Sequence, residues 1–152
     1  MNQAVPQKRM KPSTKLALLV LPVIIISASW LLWQELQQSP IRQAGVQLPA
    51  YGVVTVQLTT EPFPAVASEP VQMTLRLAAP GGRMTMVERV TYTYGPQNGS
   101  DIFQGETREV AMETFQGPLQ FTDAGDWWIY VNIEDQGTVG EAKFTIPVKA
   151  NR

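Results

Sequence analysis

The stretch Asp123-Ala124-Gly125-Asp126-Trp127-Trp128-Ile129-Tyr130-Val131-Asn132-Ile133 decides how this chain folds. Asp123-Ala124-Gly125 is turn chemistry, because Asp hydrogen-bonds nearby backbone and Gly accepts dihedrals other residues resist. From Trp127 onward the residues alternate. Trp127, Ile129, Val131 and Ile133 share one parity, and Trp128, Tyr130, Asn132 and Glu134 share the other. Successive side chains of a strand point to opposite faces, so the first set belongs in a core and the second on an outer surface.

The same period of two recurs on either side. Val54, Val56 and Leu58 alternate with polar residues, as do Val71, Met73, Leu75 and Leu77. Met84, Met86, Val90, Tyr92 and Tyr94 share a parity, Val110 with Met112 marks a weaker strand, and Leu119 with Phe121 a short one. Ala142, Phe144, Ile146 and Val148 close the series. The breaks fall at Pro62-Phe63-Pro64, Pro80-Gly81-Gly82, Gly95-Pro96-Gln97-Asn98-Gly99, Gly117-Pro118 and Asp135-Gln136-Gly137. About seven strands with regular turn signals in roughly 100 residues predict an all-β fold, an Ig-like antiparallel β-sandwich.

Ahead of this domain the chain changes character. Leu16 to Trp33 is eighteen residues without a charge, preceded by Lys8, Arg9, Lys11 and Lys15. As a helix it would span about 27 Å, close to the ~30 Å hydrocarbon core of a bilayer. Trp30 and Trp33 end the run where indoles favour the headgroup level, and Lys15 sits at the opposite boundary. These residues predict one N-terminal transmembrane helix with the N-terminus cytoplasmic. The rival is a signal peptide cleaved after Ser29, since Ser27 and Ser29 imitate a cleavage site. The Trp30-Leu31-Leu32-Trp33 continuation favours the anchor. The organisation expected is a basic tail over 1–15, the helix over 16–33, a Gln-rich juxtamembrane linker over 34–50 and the sandwich over 51–152.

Composition narrows the chemistry. The chain has neither cysteine nor histidine, which removes disulfides, thiolate and imidazole metal sites and the usual catalytic triads. A small sandwich with only carboxylates and amines is expected to be no enzyme and to need no cofactor. From residue 34 onward, eight Lys and Arg face thirteen Asp and Glu, a balance of −5 against four cations in the tail. An acidic domain argues against nucleic acid, and the basic tail reads as a topology signal at the lipid bilayer.

Three groups remain. Met84 and Met86 are soft thioether donors for Cu(I), which Met73 or Met112 could join, against the plainer reading that these residues fill core gaps. Asp123, Asp126, Glu134 and Asp135 read as turn formers rather than a calcium loop, and Glu106, Glu109 and Glu113 as a solvated face. Trp128 and Tyr130, outward by parity, are the aromatic anchors expected of a protein interface.

Asp123-Ala124-Gly125-Asp126-Trp127 resembles the lead-in to strand F of Ig-like domains, with Trp127 where Tyr is usual and Ile129 where antibody domains carry Cys. A donor-only indole there requires a carbonyl acceptor. Pro62 and Pro64, the strand Gln72 to Leu77 ending in Pro80-Gly81-Gly82, and Gly125-Asp126-Trp127 are similar to the FixH-like and YtkA-like family of membrane-anchored Ig-like domains. That resemblance covers roughly residues 50–148. It implies a non-enzymatic role beside respiratory membrane complexes, in building or accompanying heme-copper oxidases, sometimes with copper. Met84-Thr85-Met86 is all that remains of a Met-rich turn, and no His accompanies it.

The expectation is a single-pass accessory subunit or assembly factor of a larger integral membrane complex, its domain periplasmic or extracellular. The rivals are a periplasmic copper-handling domain using Met84 and Met86, and a secreted or surface adhesion module.

Overall fold

The computed structural model describes residues 40–151. The expected helix over 16–33, with Lys15, Trp30 and Trp33, lies outside the described residues. Among the described residues, no helix is long and apolar enough to cross a membrane.

Two five-stranded sheets pack face to face. The first has the order β1 (Arg42–Leu48), β2 (Gly52–Glu61), β4 (Pro70–Ala78), β8 (Thr114–Gln120), β7 (Arg108–Ala111), all antiparallel. The second runs β3 (Ala65–Val66), β10 (Thr138–Lys149), β9 (Gly125–Asp135), β5 (Arg89–Pro96), β6 (Phe103–Glu106), antiparallel except for the parallel pair β3 and β10. The result is an all-β sandwich. Its core is drawn from both sheets by strict alternation: Val54, Val56 and Leu58 on β2, Val71, Met73, Leu75 and Leu77 on β4, Trp127 to Ile133 on β9, and Ala142 to Val148 on β10. Each Val, Leu, Ile, Phe or Met among them, removed from water, stabilises the fold by about 1.5–3 kcal/mol before entropy is counted.

The seven strands expected from periodicity are all present, and three more accompany them. β1 falls within the segment expected to be linker. Its Val46 and Leu48 are buried, and a Cβ at Gly140 would stand 2.3 Å from Val46 and 2.9 Å from Leu48, so the glycine on β10 is what lets β1 approach. Arg42 fastens the same junction, its Nε donating to the Thr145 carbonyl at 2.9 Å. Partial burial there lowers the Arg42 pKa from its ordinary value.

A second departure concerns Met84 and Met86. The strand that carries Val90, Tyr92 and Tyr94 begins only at Arg89, so both methionines lie in the connection before it rather than on a strand face. They are 50% and 74% exposed, which overturns the core-filling reading; among the described methionines only Met73 fills the core.

Strand ends define the two ends of the sandwich. At the end where the chain reaches β1, five rings interlock. Tyr94 meets Phe103, Phe121 and Trp127 at centroid distances of 5.3, 6.0 and 6.1 Å, Phe121 lies edge-on to Trp127 at 5.1 Å, and Tyr92 adjoins Tyr94 at 5.9 Å. The Trp127 indole Nε1 donates to the Asp123 carbonyl at 3.0 Å, the acceptor type its chemistry requires. The Tyr92 hydroxyl crosses the core to donate to the Pro118 carbonyl, tying the two sheets together. Burial pushes its pKa up to about 12, with the neighbouring Tyr94 adding to the shift.

Candidate functional site

Two surfaces gather chemistry-bearing side chains. The first is the outer face of the sheet β3-β10-β9-β5-β6. The β9 register that buries Trp127 and Ile129 turns Trp128 and Tyr130 outward, where both are half-buried by their neighbours on the sheet. Trp128 stands between Thr145 on β10 and Gly95 on β5, and Tyr130 between Lys143 and Thr93. Their ring centroids are 5.2 Å apart with planes at 58°. Lys143 Nζ lies 5.3 Å from the Tyr130 ring centre, a cation–π geometry that brings a positive charge to the aromatic pair.

Gly95 supports this arrangement by what it lacks. A Cβ there would come within 2.7 Å of Trp128 Cζ2 and 2.4 Å of the Asp101 carbonyl oxygen, so the indole rests directly on backbone with the 97–101 loop beside it. The pair is therefore a supported platform rather than two free side chains. At the far edge of the face, Arg89 Nε and Nη2 both donate to Glu134 Oε2, at 3.1 and 2.9 Å. That hydrogen bond, with the carboxylate's charge, raises the Arg89 pKa.

The second surface is the end of the sandwich opposite the interlocked rings. Met84, Met86 and Met112 line one pocket of about 380 Å³ together with Thr85, Val87, Glu109 and Phe115. Met112 is 65% exposed, so none of the three side chains is held in the core. Their placement follows from Thr85. Its backbone amide and its hydroxyl both donate to Glu113 Oε1, at 2.7 and 2.9 Å, which draws Thr85 inward. Two residues with an inward residue between them are left pointing out. The Tyr51 hydroxyl clasps the next residue, donating to the Met86 carbonyl at 2.8 Å and accepting from the Met86 amide at 3.1 Å. Arg83 completes the clamp by donating to the Tyr51 carbonyl at 2.9 Å.

Met112 thus joins Met84 and Met86, whereas Met73 stays in the core between the sheets. Glu113, expected on a solvated face, instead organises the loop. It sits at φ 60°, in the left-handed region, at the turn from β7 to β8. No local pattern in the sequence marks that role, because its partner is 28 residues away. The carboxylates Asp123, Asp126, Glu134 and Asp135 do not form a metal site, and among the described residues no group of three or more His, Cys, Asp or Glu is placed to hold a metal ion. No family model matches the chain, and no curated protein matches it.

Proposed function

We propose that this chain is a non-enzymatic, single-pass accessory subunit or assembly factor of a larger membrane complex. In this reading residues 16–33 anchor it in the cell membrane with the tail cytoplasmic, and the sandwich, Ig-like in type, stands on the periplasmic or extracellular side. The strand order supports the Ig-like assignment: β9 lies between β5 and β10, and β3 adds to β10 in parallel. Respiratory oxidase assembly is the setting that the FixH-like resemblance suggests.

The observation that carries the proposal is the outward Trp128 and Tyr130 pair with Lys143. Large aromatics on rigid strands lose little entropy on binding and dominate interface energies. An anchor in the same bilayer raises the effective concentration of the partner, so a small interface suffices. Affinity purification of the full chain from native membranes in mild detergent tests it. The wild type should bring down an integral membrane complex, and Trp128→Ala with Tyr130→Ala should release it while near-ultraviolet circular dichroism of the core rings persists. Retention of the complex by that variant would rule out this face. Mass spectrometry of the mature chain separates the anchor from the adhesion module, which requires a new N-terminus near Trp30.

A further inference from the structure

We propose that the outer face around Trp128, Tyr130 and Asn132 binds a flat, neutral glycan of the cellulose or chitin type. The inference goes beyond the docking reading and does not rest on it, although the two share Trp128 and Tyr130.

The three residues follow one another along the outward side of β9, a row about 13 Å long. Beside its Asn132 end lies an open depression of about 520 Å³ lined by Thr91, Tyr92, Thr93, Gln104, Gly105 and Asn132. Row and depression are continuous, since Thr93 pairs with both Tyr130 and Gln104, and Thr91 with Asn132. The lining presents hydroxyls and carboxamides and no charge, so it offers nothing to pair with an ionic ligand. Farther along β9, Glu134 is already engaged by Arg89.

Two features select a sugar. Among the described residues, the side chains of Thr91, Thr93, Gln104 and Asn132 make no hydrogen bond to the protein, and each is both donor and acceptor. A sugar hydroxyl is likewise both, whereas a proline-rich segment offers mainly carbonyl acceptors. Sugar rings also carry C–H faces that stack on aromatic rings. Trp128 is held in place for one, its indole resting against the Gly95 backbone and against Tyr130. Lys143 lies over the Tyr130 ring, so stacking falls first to Trp128. A ribbon-like chain can follow a straight strand from the indole to the depression, which a coiled chain of the amylose type cannot.

Saturation-transfer NMR tests this on the full chain, held in micelles of a detergent without a sugar headgroup. Cellohexaose and chitohexaose are the probes, and they differ in the acetamido group. At least one should show transfer to its ring protons at millimolar concentration, and maltohexaose should show none. Trp128→Ala should abolish the signal, while Thr93→Val and Asn132→Ala should each weaken binding about three- to tenfold. Gln57→Ala, on the other sheet, should bind as the wild type does. Silence from both flat hexamers would overturn the site, and so would equal binding of maltohexaose. A Thr93→Val, Asn132→Ala double variant, folded by circular dichroism, that binds as well as the wild type would also overturn it. Docking fails on a different measurement, retention of the membrane complex by the Trp128 and Tyr130 variant, which is read without glycan.

Discussion

The two ends of the sandwich close in opposite ways. Where the chain reaches β1, the gap between sheets is filled by Tyr92, Tyr94, Phe103, Phe121 and Trp127, and the corner is tied by an indole-to-carbonyl bond. At the other end the connection before β5 is held by Glu113 and Tyr51 through hydrogen bonds, and its large apolar side chains are left in water. Rings that close a core by burial are committed to stability. A loop closed by polar clasps instead leaves Met84, Met86 and Met112 exposed to solvent.

The largest test of this contrast is Trp127→Ala. Truncating a fully buried indole inside the ring cluster should cost about 3–5 kcal/mol, seen as a lower midpoint in urea unfolding; a loss near zero would mean the rings do not carry the fold. Glu113→Ala is the matching cut at the other end. It leaves the Thr85 amide and hydroxyl without their acceptor and should cost about 1–3 kcal/mol. Hydrogen exchange should quicken at Thr85 and Met86 while the ring-filled end stays protected, and global unfolding would contradict the local role.

Tyr92 sharpens the comparison through pH. Its folded pKa lies above that of an ordinary phenol, so the folded state holds the proton longer. Its contribution is complete below pH 10 and is lost as pH rises from there to about 12. Tyr92→Phe should flatten that part of the profile, measured as unfolding midpoint against pH; an unchanged slope would assign it to other groups. The smallest effect belongs to the exposed Arg89 and Glu134 pair. Glu134→Gln should shift stability only slightly, and salt should remove the difference.

Much of this architecture was legible because alternation is a local property. The seven expected strands all appear, although β5 starts later than period two placed it, and parity alone separated Trp127 from Trp128. The indole's need for a carbonyl was legible too, since it follows from the side chain's single donor. β1 was not, although Ala44, Val46 and Leu48 alternate, because Gly45, Pro49 and the Gln-rich surroundings carry turn and linker chemistry of their own. What makes it a strand is β2 beside it and the space left by Gly140. Met84 and Met86 misled for the converse reason. Their parity continues that of Val90 and Tyr92, yet the strand starts at Arg89, because Glu113 holds Thr85 inward and the loop cannot join the sheet.

Sequence by itself determined the β class, the inward and outward faces of each long strand, the absence of thiol and imidazole chemistry, and the apolar run at the start of the chain. These depend on residue type and on spacing along the chain. Tertiary structure decided that β1 belongs to the sandwich, that three methionines share a pocket and that Glu113 is a clasp. Each of those is a meeting of residues distant in sequence, set by packing geometry that no local pattern encodes.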